Sequence, residues 1–110
     1  MSHELPPEAM LLQLALGRWV SQTLTAAARL GIADLLESGP QTVASMAAAK
    51  QVHPETLHRI LRALASVGVF TETAEGTFAN TPMSDALRTN APNTMRNMAM
   101  MVNDPWQFVN

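Results

Sequence analysis

One stretch near the N-terminus limits what this chain can fold into. From Glu8 to Leu30 the apolar spacing predicts a helix, with Gly17 a kink or close-packing point. Arg18, Gln22, Thr25 and Arg29 recur at helical intervals and read as one solvated stripe. Followed backwards, that stripe runs into Ala15, Leu14 and Leu11, so Ala9–Leu16 is apolar almost all round, with Gln13 the one break. A helix apolar on every side must be covered on every side. A 110-residue chain has room for one domain, and a terminal helix is seldom its centre. The stretch therefore predicts a partner surface, most simply a second copy of the chain, made by Met10, Leu11, Leu12, Leu14, Leu16 and Trp19. The alternative is a central core helix within the monomer.

Composition narrows the remaining choices. At this length folding hides roughly 65% of the extended-chain surface, enough for one core without covalent staples. There is no cysteine, which excludes disulfide frameworks, thiolate metal sites and cysteine nucleophiles. A net charge of −2 gives no electrostatic reason to bind a polyanion. No apolar run reaches membrane-spanning length and no secretion signal is visible, so a cytoplasmic protein without membrane partners is expected. Tyrosine is absent, whereas there are 8 methionines, four of them at Met95, Met98, Met100 and Met101. The last residues, Trp106–Val109, are apolar where a terminus normally turns polar.

The rest of the chain alternates short helices with breakers. Gly31 closes the first helix, and Ile32–Leu36 forms a short apolar turn before Ser38-Gly39-Pro40. Thr42 is placed to cap a helix over Val43–Lys50, and Pro54 opens another to Val67 with Leu57, Ile60, Leu61, Leu64 and Val67 on its buried face. Glu55 and Arg59 are spaced for a weak pair on the opposite face. Val69–Glu72 and Thr77–Asn80 read as a two-stranded hairpin turning at Ala74-Glu75-Gly76. Thr81-Pro82 opens a short helix over Met83–Leu87, and a last helix runs from about Asn93 to Met101. The predicted fold class is mainly α: a winged-helix-like domain with a small β-hairpin wing.

Winged helices often bind DNA, which makes a transcription regulator the second reading. The charges oppose it. The predicted wing carries Glu72 and Glu75 and no Lys or Arg, and DNA affinity comes largely from neutralised phosphates. Arg59 and Arg62 read as solvated helix positions. Chemistry-bearing clusters are equally scarce. His3 lies in the N-terminal lead, His53 at a turn and His58 on an exposed helix face, with no carboxylate cluster to make a metal site. Asp34 and Glu37 read as solvated, and Ser21, Ser45, Ser66 and Ser84 lack a His-and-acid context. No catalytic, cofactor-binding or metal residue is assigned.

The order of motifs resembles a known family. Ala26-Ala27-Ala28-Arg29-Leu30-Gly31-Ile32-Ala33-Asp34-Leu35-Leu36, Gly39-Pro40-Gln41-Thr42-Val43-Ala44, the run from Leu57 to Phe70, Gly76-Thr77-Phe78 and Thr81–Leu87 stand in the order and spacing of the small-molecule O-methyltransferases. These include the plant caffeate-type enzymes and the bacterial enzymes of antibiotic biosynthesis. Ser45 and Met46 depart from the Glu and Leu of many members. The resemblance covers roughly Glu8 to Asn110 and matches the family's N-terminal dimerisation domain. It implies a homodimer, with residues 1–90 as the dimerisation domain and 91–110 as the start of linker helices. It also implies a missing C-terminal Rossmann-like domain that binds S-adenosylmethionine and holds the catalytic base; this segment itself binds no cofactor. Met98, Met101 and Trp106 would then wall the acceptor pocket, or simply pack against the missing domain, and Leu12, Leu16 and Trp19 would reach towards the partner's pocket. The implied parent methylates a hydroxyl of a small aromatic or polyketide-like metabolite. Some relatives have drifted to other chemistry, which stands as a third reading.

Overall fold

The computed structural model describes residues 6–103. Helix α1 spans Pro7–Leu30; α2 is Ile32–Leu35, β1 Gln41–Thr42, α3 Val43–Lys50, α4 Pro54–Ala65, β2 Thr71–Ala74, β3 Thr77–Ala79, α5 Pro82–Asp85 and α6 Arg96–Met101. The sheet has three strands rather than the expected two. Its order is β1-β3-β2 with both pairings antiparallel, Gln41 opposite Phe78 and Glu72 also opposite Phe78. The added strand is two residues of the link before α3, too short to carry a sequence signal of its own.

Local chemistry sets the boundaries. Pro7 at the first helical position and Glu8 in the first turn start α1, and Gly31 at φ 69° ends it, its N–H donating to Ala27 O and Ala28 O. Thr42 caps α3 as expected, its hydroxyl accepting from Ser45 N at 3.1 Å. Thr81 and Ser84 form a reciprocal capping box on α5. Helix α4 ends at Ala65, so Val67 falls in the turn beyond it and is exposed rather than buried, and the hairpin begins two residues later than expected. After α4 the chain turns through Gly68 (φ 89°), and Phe70 takes φ 73°. That left-handed conformation costs an aromatic residue about 1–2 kcal/mol, and here it aims a fully buried ring into the core.

The core lies where the C-terminal half of α1, α2, α3, α4 and the sheet meet. Ile32, Met46, Leu57, Leu61, Leu64, Phe70 and Phe78 are its fully buried members. Ala27 and Ala28 are as buried as these, and their small side chains let neighbouring elements approach α1 closely.

Candidate functional site

Three surfaces stand out. The first is the N-terminal half of α1. Met10, Leu11, Leu12, Leu14 and Trp19 are 49–73% exposed, all within a thirteen-residue stretch that spans about 20 Å. The central-core-helix alternative does not hold, because nothing within the described chain covers this half. The side chain of Leu16 lies outside what is described.

The second is an apolar groove of about 190 Å³ between α1, α5, α6 and the α4–β2 link. Leu24, Val69, Met83, Ala86, Leu87, Met95, Met98 and Ala99 line it. Met98, a sequence candidate, is on its wall; Met101 is exposed on the same helix but does not line it. Trp106 lies outside the described residues. Sequence reasoning missed Met83, whose exposure follows from its place on a four-residue helix fixed by a capping box.

The third is the polar face of α4. Glu72 reaches back from the hairpin, its Oε2 accepting from Gly76 N at 2.8 Å and lying 3.3 Å from His58 Nε2. Its Oε1 accepts from Arg62 Nε at 3.2 Å. The Gly76 N–H holds this carboxyl below its ordinary value; burial opposes, and Arg62 and His58 reinforce the lowering. His58 also sets its ring against the edge of Phe78, centroids 5.8 Å apart. It is therefore half-buried and engaged, not free on an exposed face. Arg62, a cation that could have met a DNA phosphate, is already directed at a carboxylate. Of the ion pairs among the described residues, none joins Glu55 to Arg59.

Two other expectations are corrected. Asp34 is not simply solvated: its carboxylate accepts from Thr89 N at 2.8 Å and from Thr89 Oγ1 at 2.6 Å, tying α2 to the segment after α5. Burial raises its pKa, but the two bonds from Thr89 and the charges of Arg96 and Lys50 outweigh it, and the net shift is down. The polar stripe on α1 is not uniformly solvated either, because Thr25 is buried beneath α6.

None of these surfaces is built for bond-making. Ser45 stands beside its helix cap, and Ser84 is fully buried in a capping box with Asn80. Among the described residues no group of three or more His, Asp or Glu could hold a metal ion. The glycines do not form a nucleoside cradle: Gly31 ends a helix, and Gly68 and Gly76 turn the chain. The sheet has no parallel strand to feed a phosphate-type loop. No described helix is long and apolar enough to cross a membrane.

Comparison with known proteins places these surfaces in context. The pattern of the O-methyltransferase dimerisation domain matches residues 12–90. The phenazine O-methyltransferase PhzM of Lysobacter antibioticus is 45% identical over 96 residues, which is 87% of this chain and 28% of that enzyme. The 8-amino-8-demethylriboflavin N,N-dimethyltransferase of Streptomyces davaonensis is 41% identical over 86 residues, 78% of this chain and 25% of that enzyme. The crystal structure of LaPhzM superimposes with a TM-score of 0.86 at 43% identity, covering 91% of this chain and 30% of that one. Human N-acetylserotonin methyltransferase in complex with SAM superimposes at 0.80 and 30% identity, covering 96% and 33%. This chain spans less than a third of the length of the curated relatives named here. By pattern, sequence and fold, the chain belongs to the O-methyltransferase dimerisation-domain family.

Proposed function

We propose that this chain is the dimerising unit of an S-adenosylmethionine-dependent methyltransferase that acts on a small aromatic or polyketide-like acceptor. The observation that carries the reading is the uncovered apolar half of α1 in a chain of this family. Met10, Leu11, Leu12, Leu14, Leu16 and Trp19 would meet the same surface of a second copy, a two-fold arrangement in which one patch serves both sides. Residues 1–90 form the winged-helix-like dimerisation domain, and 91–110 begin the linker towards a Rossmann-like catalytic domain of the parent. Met98, Met101 and Trp106 contribute one side of the acceptor pocket, where thioether and indole side chains suit flat, variable ligands. The cofactor and the catalytic base belong to the catalytic domain, so the chain alone neither transfers methyl groups nor binds the cofactor. The protein is cytoplasmic and has no nucleic-acid or membrane partner.

The acceptor atom is a hydroxyl oxygen in this reading. The names of the relatives include both O- and N-methyltransferases, so the parent enzyme's product decides between oxygen and nitrogen. Light scattering tests the dimer directly. At tens of micromolar the chain is expected at about twice its 11.9 kDa. A single species at the monomer mass overturns the reading.

A further inference from the structure

Helix α6 is a physical puzzle by itself. It has six residues and no side-chain N-cap, far below the length at which an isolated helix holds. Its last carbonyls have no partner within the helix, apart from Met98 O, which accepts from Val102 N. Those of Ala99 and Met100 are satisfied by α1: Thr25 Oγ1 donates to Ala99 O at 2.7 Å, and an Arg29 guanidinium N–H donates to Met100 O at 3.3 Å. Asn103 Nδ2 returns across the seam to Thr25 Oγ1 at 2.6 Å and Ser21 O at 3.0 Å. Arg96 Nε donates to Ala28 O at 3.1 Å, near the end of α1. Each helix thus serves carbonyls near the C-terminal end of the other.

Thr25 is the centre of this exchange. A threonine inside a helix usually bonds back to its own preceding turn, as Thr23 does to Val20 O at 2.7 Å. The hydroxyl of Thr25 instead crosses to α6 while being almost fully buried. We propose that Thr25 and Asn103 form a polar latch that fixes α6 on α1 and so holds Met98 on the groove wall. They are positioning residues. The latch rests on the proposed function only for what that wall is for; the latch itself is a property of this chain.

The test uses the whole 110-residue chain. Thr25→Val keeps the shape and removes the hydroxyl, Thr25→Ser keeps the hydroxyl, and Asn103→Ala removes only the returning amide. Amide exchange is read at Met100–Val102 and at Leu61, together with the methionine methyl resonances. Thr25→Val is expected to speed exchange in α6 about tenfold, the size of one lost buried hydrogen bond, with Leu61 unchanged. The Met98 methyl should shift while that of Met46, in the core, stays put. Thr25→Ser should restore the wild-type pattern, and Asn103→Ala should fall between. Unchanged α6 exchange in Thr25→Val overturns the latch. So does a Ser variant that behaves like the Val variant, or a loss of protection at Leu61 as large as that at Met100. Light scattering on the same samples reads the dimer separately, so either idea can fail without the other.

Discussion

The two halves of α1 share one backbone and opposite surroundings. From Val20 to Leu30 the helix is packed by its own chain, with Ala27 and Ala28 fully buried and a threonine hydroxyl spent on α6. From Pro7 to Trp19 it carries larger apolar side chains and leaves them in solvent. The more hydrophobic half is the less covered one. Apolar side chains stabilise a fold only when something removes them from water, and the body of this domain does not reach the first half. The C-terminal half builds the monomer, and the N-terminal half supplies the exposed surface proposed to meet a second copy.

The largest expected effect separates these roles at the N-terminal half. Leu11→Asp with Leu14→Asp places two charges in the centre of the proposed contact. Association is expected to weaken by about a thousandfold or more, since central interface residues contribute roughly 2 kcal/mol or more each. Light scattering should then find the monomer, while circular dichroism at the same concentration shows the fold intact. Retention of the doubled mass breaks the comparison.

That monomeric background sharpens the body's side, because it removes the concentration dependence of stability. Leu61 is fully buried at the centre of the core. Leu61→Ala is expected to lower unfolding free energy by about 2–5 kcal/mol in a urea melt. The same substitution in the wild-type chain should leave the dimer mass unchanged. Within α1 the contrast is finer. Ala28→Leu forces a larger side chain into a fully buried core position, at a cost of about 1–3 kcal/mol. Ala15→Leu, on the exposed half, should change monomer stability by less than about 0.5 kcal/mol. Equal effects at the two positions would mean that the halves do not differ as described.

Much of this was legible in the sequence, for reasons that also mark its limits. Thr42, Pro54, Gly31 and Thr81-Pro82 act through their nearest neighbours, so these helix starts and this stop follow from local chemistry. The all-round apolar run at Ala9–Leu16 announced an unmet surface, because periodicity reports what a face requires. It does not report what supplies it. Thr25 therefore read as solvated, since its partner Ala99 lies 74 residues away and is a backbone carbonyl without a side-chain signature. Asp34 and His58 were misjudged in the same way, because Thr89 and Glu72 reach them through tertiary folding alone. Strand β1 and the turn at Phe70 were invisible for a related reason: two residues cannot show alternation, and a positive φ at an aromatic is imposed by the core.

The smallest expected effect is a pH dependence that acts on the body and not on the arm. Glu72 and Asp34 both have folded pKa values below their ordinary values of 4.5 and 3.8. A carboxyl lowered by folding contributes stability that is fully present above its unfolded pKa and is lost as pH falls through the folded one. The melting temperature of the monomeric variant should therefore be flat from pH 7 to about 5 and fall below pH 4.5. Glu72→Gln should melt lower than its parent at pH 7, and the gap should narrow as pH drops, because the parent's carboxylate is being protonated too. Asp34→Asn should behave alike, with its gap closing at lower pH. The proposed contact on Pro7–Trp19 is made by apolar side chains, so the dimer mass should hold from pH 7 to 5. No gap for Glu72→Gln at pH 7 would mean that Gly76 N–H and Arg62 are served as well by a neutral amide, and a gap that does not narrow in acid would mean that the clasp on α4 contributes nothing as a charged group.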